Sequence, residues 1–165
     1  ADHRVVRVLV TPEFKLMNDR ARGITQSGTV GDEPFGADGL NGAGQIVGVA
    51  DSGVDDLSCF FVDKFGTHTP RSTADDPTTN TGRRKIIQYV AYADDRDEED
   101  GHGTHVCGSI AGKSKFDLRD AFAFDVCRSL TLDLRRRVPG LSGDNGDFNG
   151  MAPEAKIAFF DIGVT

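Results

Sequence analysis

The stretch Gln45–Gly53, QIVGVADSG, is an unbroken apolar run closed by an acid, a serine and a glycine. An apolar run without polar alternation predicts a strand buried on both faces, as in a parallel sheet. Open α/β sheets place their functional groups outside the carboxyl ends of such strands, and Asp51 stands at that end. Ser52 and Gly53 after it permit a sharp turn. Two more runs of the same kind follow, KIIQYVAYA (Lys85–Ala93) and AKIAFFDIG (Ala155–Gly163). Between them, His102–Ala111 combines small residues with Val106, Cys107 and Ile110, which predicts a tightly packed helix. Strand, strand, helix and strand together predict an α/β fold with a largely parallel central sheet and packed helices.

Around this frame the signals are weaker. RVVRVLV (Arg4–Val10) has the β-branched content of a strand, and the segment after Pro12 predicts a helix near Glu13–Ala21. Thr25–Gly44 holds six glycines and one proline and reads as loop and turns. Residues 66–84 read as a polar surface excursion. DDRDEED (Asp94–Asp100) reads as a solvated acidic loop in preference to a cation site. In Lys113–Leu141 the apolar residues fit neither a strand nor a helix period, and the segment looks inserted.

Composition excludes several classes of function. A chain of 165 residues fits one domain with a real core. Its net charge of −7, with only Arg135–Arg137 locally basic, argues against nucleic-acid binding. No apolar run approaches the ~20 residues of a membrane helix, so no membrane partner is expected. With neither an initiating methionine nor a signal-peptide pattern, the sequence reads as processed or incomplete. Cys59, Cys107 and Cys127 are an odd number, so at least one is unpaired within the chain or pairs outside it.

The chemistry concentrates in DGHGTHVCGSIAG (Asp100–Gly112), which sets two histidines three apart among glycines. His102, His105 and Cys107 offer zinc donors, but H-x-x-H-x-C is not a common zinc spacing and no second ligand pair accompanies it. His3 and His68 sit in unremarkable loops. NGDFNG (Asn145–Gly150) imitates the start of an EF-hand, yet Lys156 falls where the bidentate glutamate is required. No metal site is expected. The other reading is a general base, which near neutral pH is most readily a histidine. It needs a carboxylate to orient it, and Asp51 is the obvious one. Gly101 and Gly103 leave room around His102, and Gly103 permits close packing where the helix begins. Spacing alone leaves a base and a merely buried, hydrogen-bonded histidine equally supported.

GQIVGVADSGVD and GHGTHVCGSIAG resemble, nearly position by position, the Asp and His blocks of the subtilisin-like serine proteases of peptidase family S8. NGMAPEAKIAFFDIG resembles the strand that follows the His helix in that family. NDRARGI and GLNGAGQIVGVADSG resemble the N-terminal part of its oxidation-resistant alkaline-protease branch. The resemblance implies the N-terminal portion of a subtilisin-like fold: residues 1–165 as a partial peptidase domain, 1–44 as its lead-in and 113–141 as an atypical insertion. It implies Asp51 as the orienting carboxylate, His102 as the general base, and His105 as a supporting residue with a buried, locally bonded ring. Ser52, Gly53, Gly101 and Gly103 would shape the site. Protein or peptide substrates and a secreted or lumenal location are implied, as is calcium at loops, though no calcium ligand set is identifiable. The family's Gly-Thr-Ser nucleophile block and its oxyanion asparagine have no counterpart in this sequence. A fragment inactive by itself is therefore expected, with a non-catalytic binding relative, or a His/Cys metal module, as alternatives.

Overall fold

In a computed structural model, residues 18–63, 66–97, 101–114 and 149–163 are described. The three apolar runs form strands, β1 (Ile46–Asp51), β3 (Ile86–Ala91) and β4 (Lys156–Asp161), and Arg71–Ser72 adds a short β2. All pairings are parallel, in the order β1-β4-β3-β2. The register sets Val49 beside Phe159 and Phe159 beside Tyr89, so their side chains share one face of the sheet. Helix α3 (His102–Ala111) lies on that face through Thr104, Cys107 and Ala111, spaced three and four apart to form one stripe. The Tyr89 and Phe159 rings meet at 5.2 Å in the centre of this core.

The expected parallel sheet is present, but β1 is not buried on both faces. Ile46 is 56% exposed, Gly48 and Ala50 are exposed, and within the strand only Val49 is fully buried. Among the described elements β1 pairs with β4 alone, and α3 covers one of its faces. β3 and β4 both have neighbours on either side, yet only β3 shows the expected burial and β4 alternates. An uninterrupted apolar run reports hydrophobicity; it does not report a strand's rank in the sheet.

Helix α1 (Asn18–Ser27) runs further than the glycine content suggested. The hydroxyls of Thr25 and Ser27 donate to the carbonyls of Ala21 and Gly23 one turn back, which absorbs these polar side chains into the helix. Gly28 ends it, at a positive φ of 80° and with its N–H on the Ile24 carbonyl. A single turn, α2 (Pro34–Ala37), opens on its proline. The polar excursion is partly recruited to the sheet: Thr69 and Ser72 are buried, and their hydroxyls donate to the Ile86 and Tyr89 carbonyls. The strand expected at Arg4–Val10, the start of the helix expected at Glu13, Cys127 and nearly all of Lys113–Leu141 lie outside the described residues. Among the described residues no helix is long and apolar enough to cross a membrane.

Candidate active site

β1 ends on Asp51 and α3 begins on His102, and the packing of the helix on the strand brings the two together. His102 Nδ1 lies 2.7 Å from Asp51 Oδ1, with side chains 65% and 14% exposed. Burial raises the Asp51 pKa, but the His102 hydrogen bond and the Ser52 backbone N–H outweigh it and hold the carboxyl below its ordinary range. Asp51 is therefore an anion at neutral pH and can only accept, so the proton between the pair sits on Nδ1. In the neutral form of this exposed ring Nε2 is then the acceptor, the state a general base requires.

Two glycines let these elements approach. Gly53 has φ +135°, and a Cβ there would stand 2.0 Å from the Arg96 carbonyl oxygen. A Cβ on Gly103 would stand 2.0 Å from the Gly53 carbonyl oxygen. The turn after Asp51, the segment before α3 and the first turn of α3 thus interlock through backbone. Gly101, the residue before the helix, is left-handed at φ 69° and has no side chain to cap with. The caps come from elsewhere. Ser52 Oγ accepts the Gly103 N–H at 3.2 Å, and Asp97 Oδ2 accepts the Thr104 N–H at 2.9 Å. Thr104 in turn accepts the Asp55 N–H at 2.8 Å. Asp97 is thus a helix cap inside the segment that read as a solvated acidic loop.

His105 departs from expectation: it is exposed, not buried. Its position next to Thr104 turns it off the Thr104–Cys107–Ala111 stripe, away from the sheet. Cys107 is fully buried, and burial, followed by the nearby Asp51 and Asp97 charges, pushes its thiol pKa well up. His102 and His105 therefore lie outside the core and Cys107 inside it, so these donors are not gathered into one ligand set. Among the described residues no group of three or more His, Cys, Asp or Glu is placed to hold a metal.

A second polar assembly lies beside the pair. His68 Nδ1 stands 2.7 Å from Asp56 Oδ1, although its loop gave no sign of this. Asp56 is buried and also accepts the Thr69 N–H at 2.5 Å and Arg71 Nη1 at 2.8 Å. The Arg71 guanidinium sits 3.9 Å over the Tyr89 ring. The Tyr89 hydroxyl donates to Asp161 Oδ2 at 2.5 Å, and Asp161, fully buried, is in register with Asp51. Burial raises the pKa of Asp161 and that of the Tyr89 phenol. Asp161 was visible as an acid closing an apolar run, the same signal that pointed to Asp51. The Asp56–His68–Arg71 cluster had no such signal, because its members belong to separate segments: a turn after β1, the loop before β2 and β2 itself.

Residues 42–165 match the Peptidase_S8 subtilase family. Three proteins of Dictyostelium discoideum, named serine protease/ABC transporter B family proteins, are similar to this chain. The one called tagD is 36% identical over 124 residues, tagA 35% over 127 and tagB 33% over 123. These alignments cover 74–76% of this chain and 5% of each relative. No solved structure matches.

Proposed function

Because this chain belongs to the subtilase family, we propose that it carries the Asp and His of a subtilisin-like Asp/His/Ser triad in a serine endopeptidase. The observation behind the proposal is the 2.7 Å contact between His102 Nδ1 and Asp51 Oδ1, with the imidazole exposed. In the reaction so written, His102 Nε2 takes the proton of a serine hydroxyl as its oxygen attacks the scissile carbonyl carbon. Asp51 stabilises the imidazolium, which then protonates the leaving amine. Water, deprotonated by the same nitrogen, hydrolyses the acyl-enzyme. No cofactor is used. Ser52, Gly53, Gly101 and Gly103 support the pair and do not touch the reacting atoms.

None of the serines in this sequence sits in a Gly-Thr-Ser block. The nucleophile is therefore proposed to be supplied from outside these residues, and this stretch alone to be inactive. Residues 1–44 are proposed as a lead-in and 113–141 as an insertion within the peptidase domain. The relation to the oxidation-resistant alkaline branch, and a secreted or lumenal site of action on proteins or peptides, belong to the same proposal. Of the two activities in the relatives' names, only the protease is carried over, since the matched residues include Asp51 and His102. In the full-length protein, His102→Ala should abolish nearly all labelling of a serine by a fluorophosphonate. Asp51→Asn should slow peptide hydrolysis by about 10⁴-fold. Wild-type rates in either variant would overturn the assignment, and an unlabelled wild-type protein would leave the binding relative in its place.

A further inference from the structure

We infer that Asp97 is a positioning residue of this site, acting through Ser52 by taking up the one hydroxyl proton that would otherwise go to Asp51. The inference rests on the Asp51–His102 assignment proposed above. Ser52 Oγ stands 3.0 Å from Asp97 Oδ1 and 3.3 Å from Asp51 Oδ1. It also accepts the Gly103 N–H at 3.2 Å. A hydroxyl has a single proton, so only one of the two carboxylates receives it, and the shorter contact directs it to Asp97.

This choice matters to the base. Asp51 Oδ1 already accepts the Ser52 N–H at 2.8 Å and faces His102 Nδ1 at 2.7 Å. A third donor on that oxygen would compete with His102 for its electron density and weaken its support of the imidazolium. Asp97 is itself held at both ends. Its second oxygen caps Thr104, and its Cα packs so closely that a Cβ on Gly53 would lie 2.5 Å away. Among the described residues, the acids that bear on this corner include Asp51 from β1, Asp94 and Asp97 from the segment after β3, and Asp161 from β4. Asp97 joins the Ser52 hydroxyl to the backbone of α3, with Oδ1 on Ser52 Oγ and Oδ2 on the Thr104 N–H.

Asp97→Asn separates this role from simple capping. The Thr104 N–H demands an acceptor, so the amide oxygen of the asparagine stays there and the cap survives. The amide nitrogen then faces Ser52 as a donor, and the serine proton is left for Asp51. The rate of His102 carbethoxylation by diethyl pyrocarbonate, followed against pH by mass spectrometry of its peptide, reports the His102 titration without any turnover. In the full-length protein, Asp97→Asn should move the His102 midpoint down by about half a pH unit or more. In a Ser52→Ala background the same change should produce less than about a third of that shift, and Ser52→Ala alone should leave the midpoint nearly unmoved. An unmoved midpoint in Asp97→Asn would overturn the inference. So would an equal fall with and without the Ser52 hydroxyl, which would reduce Asp97 to a distant charge. Failure of the peptidase reading appears separately, as absent fluorophosphonate labelling of the wild-type protein, and leaves the carbethoxylation result intact.

Discussion

Replacing Gly103 with alanine sets a Cβ 2.0 Å from the Gly53 carbonyl oxygen, where real contacts essentially never fall below 3.0 Å. The obstacle is backbone belonging to the turn that follows Asp51, so no rotamer change relieves it. Either α3 retreats from the turn by about 1 Å or the overlap stays as strain of about 1–3 kcal/mol. Retreat would stretch three bonds that cross the same gap. These are His102–Asp51 at 2.7 Å, Gly103–Ser52 at 3.2 Å and Thr104–Asp97 at 2.9 Å. At about 1 kcal/mol each, their loss comes to about the same cost. Alanine's better helix propensity returns up to about 1 kcal/mol, so Gly103→Ala should destabilise by about 2 kcal/mol. In an active full-length protease, the misplaced base should also lower kcat/KM by about 100-fold. Gly48→Ala is the control. Among the described residues its Cβ would meet only Phe160 Cε2 at 3.7 Å, an ordinary contact, and removing a strand glycine should stabilise by about 0.5 kcal/mol. Urea unfolding followed by far-ultraviolet circular dichroism measures both. A Gly103→Ala variant within about 0.5 kcal/mol of wild type, or a Gly48→Ala variant as unstable as Gly103→Ala, would refute the interlocked-backbone argument.

The buried cations and acids give two further expectations. Burial raises the Asp56 pKa, but Arg71, His68 and the Thr69 N–H outweigh it and hold it below the ordinary range. Its stabilising contribution is therefore full above about pH 4 and is lost as pH falls through the depressed folded value. Asp56→Asn should cost about 2–3 kcal/mol at pH 7 and flatten the loss of stability in acid, as read from urea midpoints between neutral pH and pH 2.5. Parallel acid curves for variant and wild type would argue against it. Lys85 is buried with Nζ on the Pro153 and Ala155 carbonyls at 2.9 and 2.5 Å. Burial, reinforced by the Arg84 charge, lowers its pKa from 10.5 to about 8. Here the folded state binds fewer protons than the unfolded one between those values. The penalty is full below pH 8 and is relieved as pH rises towards 10.5. Wild type should thus gain up to about 3 kcal/mol over Lys85→Met across that window, a difference that unfolding at pH 7.5 and pH 10 detects. An unchanged difference between the two proteins would contradict the buried-cation account.

The sequence by itself determined the elements that depend on a few adjacent residues. The apolar runs became β1, β3 and β4, and the small-residue segment became α3 over the same residues, His102–Ala111. Asp51 at a strand end and His102 at a helix start were legible because strand ends, glycine turns and helix starts are local signals. Their roles as base and orienting carboxylate followed from resemblance, and the structure adds that the two side chains stand 2.7 Å apart. The sequence could not place β1 at an edge of the described sheet, because strand order depends on which neighbours pair and not on how apolar a run is. It could not turn His105 outward, since the buried stripe of α3 is fixed by the sheet beneath it. It hid the cap supplied by Asp97, because a solvated acid and a helix cap look alike until the helix start is brought beside the acid. The Asp56–His68–Arg71 cluster and the Tyr89–Asp161 bond were hidden for the same reason. Each joins residues from different elements, and only the packed sheet makes them neighbours.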